Sequence, residues 1–366
     1  MRVQNKIIGL VDSGLETGKK FARKLLRWNN LFNNRQMPWK GEKDPYKIWL
    51  SEIILQQTRV EQGLKYYQNF ITTFPTVTAL AAAKPEEVFK LWEGLGYYSR
   101  CRNLIATARH ITYECKGEFP ADYSSILALK GVGPYTASAI ASFAYNLPHA
   151  VVDGNVYRVL SRIFNESIPI DTQEGKKYFA ALAQQTLTPK KAGEYNQAIM
   201  DFGATICKPV PDCPNCFFKM DCKAYATSNQ KNLPVKLKEI KIKERWFYYF
   251  VLKAGNSFCL HQRIENDIWQ QLHEFPLIED AQPISTKQLA HEFESSYSIK
   301  LTQPLSVAAK STQRLTHQLI HFSFFITELP QQIPIKHFTW VKINAFTKLA
   351  FPKTLQQFIS HHLAAE

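Results

Sequence analysis

The sequence predicts two domains of different class, an all-α domain over residues 1–225 and a mixed α+β domain over 246–366, on three observations. Apolar residues recur at helical spacing, punctuated by glycine turns, from about residue 20 to a cysteine cluster at 207–222. A polar stretch follows at 226–245 (ATSNQKNLPVKLKEIKIKER), with six Lys or Arg against two Glu, the composition of a basic linker. Beyond it the pattern turns to two-residue alternation in WFYYFVLKAG, NSFCLHQR and HQLIHFSFFITEL. A chain of 366 residues is long enough for two such cores. The formal net charge of +14 suits a polyanionic partner, although charge alone does not separate nucleic acid from a membrane surface. No apolar run reaches membrane-spanning length, and MRVQNKIIGLVDSG lacks the apolar core and cleavage site of a signal peptide. A reducing cytoplasmic setting is therefore expected, in which the seven cysteines are not read as disulfides.

In chain order, residues 1 to about 18 carry no clear signal. Lys20 to Phe32 has helical spacing and a basic opposite face, as a surface helix does. Asp44-Pro45 is a sound helix start, a capping side chain followed by a proline that needs no intrahelical N–H. Ile48, Trp49, Ile53, Leu55 and Val60 supply an apolar face, and Glu52 sits among them. A carboxyl in such surroundings has a raised pKa and carries a proton at neutral pH; the alternative is a glutamate on the solvent side of an amphipathic helix. Gly94-Leu95-Gly96-Tyr97-Tyr98 then breaks one helix and opens another. Its aromatics suit either core packing or, with Arg100, Arg102 and Arg109 following as cations for phosphates, a DNA-facing loop. Cys101 and Cys115 read as ordinary buried thiols.

Two helical patterns flank Gly131-Val132-Gly133, and Pro134 favours the first turn of the second. Such a turn aims free backbone N–H groups outward and favours a phosphate, although a plain helix–helix turn has the same pattern. Asp153 follows where that second helix has emptied into a loop. Cys207, Cys213, Cys216 and Cys222, spaced C-x5-C-x2-C-x5-C, form a strong metal signal compatible with iron–sulfur or structural zinc. In the C-terminal part, a hairpin is expected around Gly255-Asn256, with helices near 286–296 and 343–361.

LKGVGPYTASAI followed closely by VVDGNVYRVLSR resembles the helix-hairpin-helix and catalytic aspartate of the endonuclease III superfamily of DNA glycosylases. The phrase RQMPWKGEKDPYKIWLSEIILQQT, together with GLGYYSR, resembles the signature of the MutY family of adenine DNA glycosylases, and the likeness extends in order from about Phe21 to the C-terminus. It implies an N-terminal helix-hairpin-helix glycosylase fold of two helical lobes and a C-terminal Nudix-like domain. Within it, Glu52 is the general acid and Asp153 the anion that stabilises the sugar cation, with Asn155 to hold water or orient Asp153. Gln56 or Gln57 wedges into the base stack, Trp39 lies near the extruded base, and either Tyr97 or Tyr98 inserts beside the lesion. Gly131, Val132 and Gly133 hold DNA backbone. Asp201 faces the adenine pocket or, alternatively, is a helix-surface carboxylate. Tyr135 stands where bifunctional members carry the Schiff-base lysine, so base excision without strand cleavage is implied.

The four cysteines match the superfamily's [4Fe–4S] loop, with zinc the lesser option, although the usual first gap is one residue longer. Lys40 replaces an arginine, keeping charge and losing fork geometry. IWQQLHEFPLIE matches the approach to a Nudix box, yet His291-Glu292-Phe293-Glu294-Ser295-Ser296-Tyr297-Ser298 lacks the paired glutamates, which disfavours Mg²⁺ and nucleotide hydrolysis. Leu315-Thr316-His317 stands for the family's Phe-Ser-His loop, so Thr316 and His317 are the expected readers of 8-oxoguanine. The implied partner is double-stranded DNA holding A:8-oxoguanine or A:G, bound by a monomer with no membrane involved. Two rivals remain: an endonuclease III-like lyase for oxidised pyrimidines, and a non-catalytic iron–sulfur protein that senses damage.

Overall fold

A computed structural model describes residues 2–237, 241–301 and 303–363, with side chains placed from residue 16 onward. The helical part contains α1 (Arg2–Phe32), α2 (Pro45–Leu55), α3 (Val60–Thr73), α4 (Val77–Ala82), α5 (Pro85–Trp92), α6 (Tyr98–Tyr113) and α7 (Tyr123–Ala128). It continues through α8 (Pro134–Tyr145), α9 (Gly154–Phe164), α10 (Gln173–Thr186), α11 (Ala192–Thr205) and the short α12 (Lys223–Ala226). Local sequence sets several of these bounds. Asp44 caps α2 by accepting from Tyr46 N at 2.9 Å, with Pro45 first in the helix. Asn146 and Asn165 end α8 and α9 in the left-handed conformation.

Two cores organise these helices. Phe21, Leu25 and Trp28 of α1 pack with Val159 and Leu160 of α9, Phe179 of α10 and Phe202 of α11. The expected surface helix is thus half inside the core, its basic face left to solvent. In the other lobe α2 packs on α8, burying Ile48, Trp49, Leu50, Ile53 and Ile54. Burial of an aliphatic side chain of this size contributes about 1.5–3 kcal/mol.

The C-terminal part has β1 (Lys243–Ala254), β2 (Ser257–Gln262), β3 (His273–Glu274), β4 (Leu277–Asp280), α13 (Thr286–Tyr297), β5 (Ala309–Arg314), β6 (Gln318–Glu328), β7 (Thr339–Lys342) and α14 (Lys353–His362). Its mixed sheet runs β3-β2-β1-β6-β5, with β4 pairing β1 and β7 pairing β2. β1 and β6 run parallel in register from Lys243↔Gln318 to Lys253↔Glu328. The hairpin at Gly255-Asn256 forms as the sequence predicts, with Gly255 at φ +56°. The single helix expected over 343–361 is instead a 3₁₀ turn at Ile343–Lys348 and then α14, since Pro352 cannot continue a helix from the residues before it.

Domain organisation also departs from the expectation that residues 1–225 form one body. The stretch through Ala82 groups with that from Asn103 to the basic connector, whereas Ala83–Arg102 groups with the C-terminal sheet. Lys90 Nζ donates to Leu349 O at 2.9 Å, Phe351 N donates to Glu93 at 2.9 Å, and Arg102 Nη1 donates to Gln270 O at 3.1 Å. Of the expected linker 226–245, residues 238–240 lie outside the described residues, and Lys243–Arg245 already belong to β1. No helix among the described residues is long and apolar enough to cross a membrane.

Candidate active site

A cavity of about 510 Å³ is walled on one side by Trp39, Glu52, Gln56, Gln57 and Tyr135 and on the other by Asp153, Asn155, Gln197 and Met200. The two lobes thus bring together residues that lie a hundred positions apart. Glu52 is only 7 % exposed, which settles its alternatives: it is not a solvent-side glutamate. Burial pushes its carboxyl up to about 7, the nearby Asp153 charge adds to the rise, and hydrogen bonding with the Tyr135 hydroxyl opposes it. Burial together with the two carboxyls also drives the Tyr135 phenol well above its ordinary value, so it stays a hydroxyl.

Asp153 caps α9. Its Oδ1 accepts from Val156 N at 2.7 Å and its Oδ2 from Asn155 Nδ2 at 2.8 Å. Burial raises this carboxyl, while those donors and the Arg158 guanidinium pull it back. A helix N-terminus favours an anion, whereas the hydrogen-bonding group that lowers Glu52 is the Tyr135 hydroxyl. More groups that lower a carboxyl therefore act on Asp153 than on Glu52. Asn155 in turn accepts from Arg158 Nη2 at 2.8 Å, and Arg158 also donates to Gly203 O and Cys207 O, each at 2.7 Å. Gly203 has to be glycine, because a Cβ there would lie 2.6 Å from Asn155 Cβ.

Asp201 is a correction. It is fully buried but is not on the cavity wall, nor is it a helix-surface carboxylate. It accepts from Arg35 Nη1 at 2.8 Å, Asn33 Nδ2 at 2.9 Å and Gln197 Nε2 at 3.0 Å, and pairs with Lys40 Nζ at 3.1 Å. Its place behind the wall fixes Arg35 and Gln197, which do line the cavity. Lys40 also donates to Arg35 O at 2.8 Å, so a single-point donor suffices at this position. Trp39 lines the cavity edge-on to Tyr67, and Gln56 Nε2 donates to Thr136 at 3.2 Å, while exposed Gln57 sits at φ +56°.

At the hairpin, Gly131 sits at φ +79°, and a Cβ there would lie 2.7 Å from Asn103 Cβ. Val132 is buried beneath the turn. Gly133 caps α8 with open space around it.

In the C-terminal unit a second cavity of about 500 Å³ gathers Tyr97, Tyr98, Arg102, Thr316, His317 and Gln318. The two tyrosines differ sharply. Tyr98 is 6 % exposed, stacks on Phe89 and accepts from Gly94 N, so it is core. Tyr97 is 44 % exposed at φ +48°, and its hydroxyl meets Thr316 Oγ1 at 2.5 Å. Arg100, grouped with Arg102 and Arg109 as a phosphate contact, is instead only 8 % exposed. Its guanidinium lies over the Trp92 and Tyr97 rings and donates to Gly96 O, which shapes the loop from within.

All four cysteines line one cavity beside Arg162 and Gln230. Arg162, 3 % exposed, donates to Cys207 Sγ at 3.5 Å and to the carbonyls of Lys208, Pro209 and Leu233. Phe218 N–H reaches Cys216 Sγ at 3.4 Å. Burial and mutual proximity raise the thiols of Cys213, Cys216 and Cys222, Cys216 to about 11. Such thiols ionise together only around a polycationic group. The buried Gln230 Oε1 has no partner among the described residues, which leaves a polar group facing the same space. The donor set fits a metal group. Among the described residues no three His, Cys, Asp or Glu side chains are placed to hold a single ion. Glu294, within the degenerate Nudix stretch, is occupied by the Leu301 N–H at 2.8 Å.

Sequence reasoning passed over Arg35, Gln197, Arg158 and Arg162. The last two stand at i, i+4 on the helix that Asp153 caps, which places them on one face toward the cysteine loop. Replacing Arg158 with Met leaves Asn155 and the carbonyls of Gly154, Gly203 and Cys207 without this donor. The variant is expected to be destabilised by about 3 kcal/mol and to excise about tenfold more slowly, with duplex affinity changed less; thermal melting, single-turnover kinetics and a binding titration check the three parts.

Residues 50–187 match the model of the HhH-GPD superfamily of base excision DNA repair proteins, and residues 248–361 match that of the NUDIX domain. The chain is 30% identical over 348 residues to an adenine DNA glycosylase of Buchnera aphidicola subsp. Schizaphis graminum, covering 93% of this chain and 97% of that one. It is 37% identical over 264 residues to the adenine DNA glycosylase of Buchnera aphidicola subsp. Baizongia pistaciae, covering 70% and 73%. A solved thermostable thymine-DNA glycosylase superposes at a TM-score of 0.55 with 29% identity, covering 59% of this chain and all of that one.

Proposed function

The chain belongs to the adenine DNA glycosylases, and from that premise we propose that it removes adenine mispaired with 8-oxoguanine or guanine and leaves the strand uncut. The observation that carries this reading is the pair of unlike carboxyls across one cavity: Glu52, buried and raised to about 7, faces Asp153 at a helix N-terminus. The adenine swings out of the stack, at roughly a few kcal/mol of unstacking, into the space beside Trp39 and Arg35. Glu52 delivers its proton to a ring nitrogen, which makes adenine a neutral leaving group. Asp153 stabilises the oxocarbenium-like sugar as the bond breaks, and water completes the abasic site. Asn155 and Arg158 hold Asp153 in place. Tyr135 offers no amine, so no imine forms and no β-elimination follows.

The hairpin at Gly131–Gly133 binds DNA backbone, the open space at Gly133 admitting a phosphate to the α8 N-terminus. Tyr97 is the inserting aromatic, since Tyr98 is committed to the core. Thr316 and His317, on the wall of the same cavity, read the 8-oxoguanine. Cys207, Cys213, Cys216 and Cys222 would hold a [4Fe–4S] cluster, whose cationic core would offset part of the thiolate charge and tie the loop together. The place of the cysteines directly after α11, as in the loop of the endonuclease III superfamily that the sequence resembles, supports this group over zinc.

The pH dependence of single-turnover excision tests the acid assignment. Because Glu52 acts in its protonated form, the rate is expected to hold below about 7 and to fall tenfold per pH unit above it. A rate that rises through pH 8 would exclude Glu52 as the proton donor.

A further inference from the structure

Gln318 is the first residue of β6 and one of the residues lining the cavity that holds Tyr97, Thr316 and His317. Arg245 Nη1 donates to Gln318 Oε1 at 3.1 Å. A guanidinium has only donors, so this contact fixes the sense of the amide: its carbonyl faces Arg245 and its NH₂ points away. Arg245 has little freedom to turn. It is 6 % exposed, pairs with both oxygens of Asp267 and both of Glu279, and packs over the Phe247 ring. A residue on the wall of the cavity is therefore a neutral hydrogen-bond donor of fixed sense.

We propose that Gln318 is a specificity-determining residue that donates a hydrogen bond to the C8 carbonyl of 8-oxoguanine. The proposal rests on the reading that this cavity receives the base opposite the adenine. The Thr316 hydroxyl rotates, donating or accepting as required, so it adapts to either the N7–H of 8-oxoguanine or the bare N7 of guanine. An amide with its oxygen already taken has no such freedom. It finds an acceptor at C8 of the oxidised purine and a C–H at C8 of guanine. Charge neutrality matters too, because a lysine or arginine here would attract any phosphate.

Excision by the full-length protein, isolated with its metal, is measured under single-turnover, subsaturating conditions on duplexes holding A:8-oxoguanine or A:G. Gln318→Leu and Gln318→Met each remove the donor without adding charge, and Arg245 keeps Asp267 and Glu279 in both. Each is expected to lower the preference for 8-oxoguanine about five- to tenfold while leaving the rate on A:G within about twofold. A structural defect would slow both substrates together. An unchanged preference in either folded variant overturns the role of Gln318 and leaves the cavity reading intact. A wild-type protein with no preference overturns the cavity reading, and this proposal with it.

Discussion

Glu52→Gln protein is expected to lose adenine excision by about 10²–10⁴-fold while retaining its affinity for a mispaired duplex. The substitution keeps the shape of the side chain and removes the proton that the proposed acid would transfer. Stability should move the other way. In the native state Glu52 holds its proton up to about 7, whereas an exposed glutamic acid releases it near its ordinary value. Between those values the native protein binds one proton more than the unfolded chain, so stability falls as pH rises through that window and the deficit persists above it. A glutamine never deprotonates. At pH 8 the variant is therefore expected to melt no lower than the wild type. A lower melting temperature together with lost activity would instead point to a structural role for the carboxyl.

Asp153→Asn is expected to slow excision by about 10²–10³-fold, the effect of losing an aligned charge at a developing cation. Asparagine caps helices as well as aspartate does, and its carbonyl can still accept from Val156 N. Folding and duplex binding should therefore survive. The variant should also ease Glu52 toward its ordinary range, because one cause of its raised pKa is the Asp153 charge. Near-wild-type turnover would mean that the sugar cation is stabilised by some other group.

Much of the site was legible because its signals are local. Asp44-Pro45 starts α2, Gly255-Asn256 turns the β1–β2 hairpin, and Asp153 stands one residue before α9, where a capping carboxylate belongs. The burial of Glu52 could be anticipated from its apolar neighbours, although only packing of α2 on α8 decides it. What could not be read depends on contacts distant in sequence. Asp201 resembles any helical carboxylate until Asn33, Arg35 and Lys40, more than 160 residues earlier, fold against it. The grouping of Ala83–Arg102 with the C-terminal sheet arises from hydrogen bonds to Gln270, Leu349 and Phe351, which leave no periodic trace. Tyr97 and Tyr98 are adjacent and chemically alike, so only the positive φ at Tyr97 sends one outward and the other into the core. Sequence gave equal reason for all three arginines of α6 to face DNA, yet the rings of Trp92 and Tyr97 capture Arg100.

The most direct test uses the purified protein on a labelled duplex holding a single A:8-oxoguanine pair, with half of each sample heated in alkali. The expectation is that the adenine strand breaks only in the alkali-treated half, since Glu52 and Asp153 would release the base and Tyr135 would leave the sugar intact. Breakage without alkali would contradict it in favour of a lyase. An intact strand in both halves, despite tight binding and bound iron, would contradict it in favour of a protein that senses the mispair without acting on it.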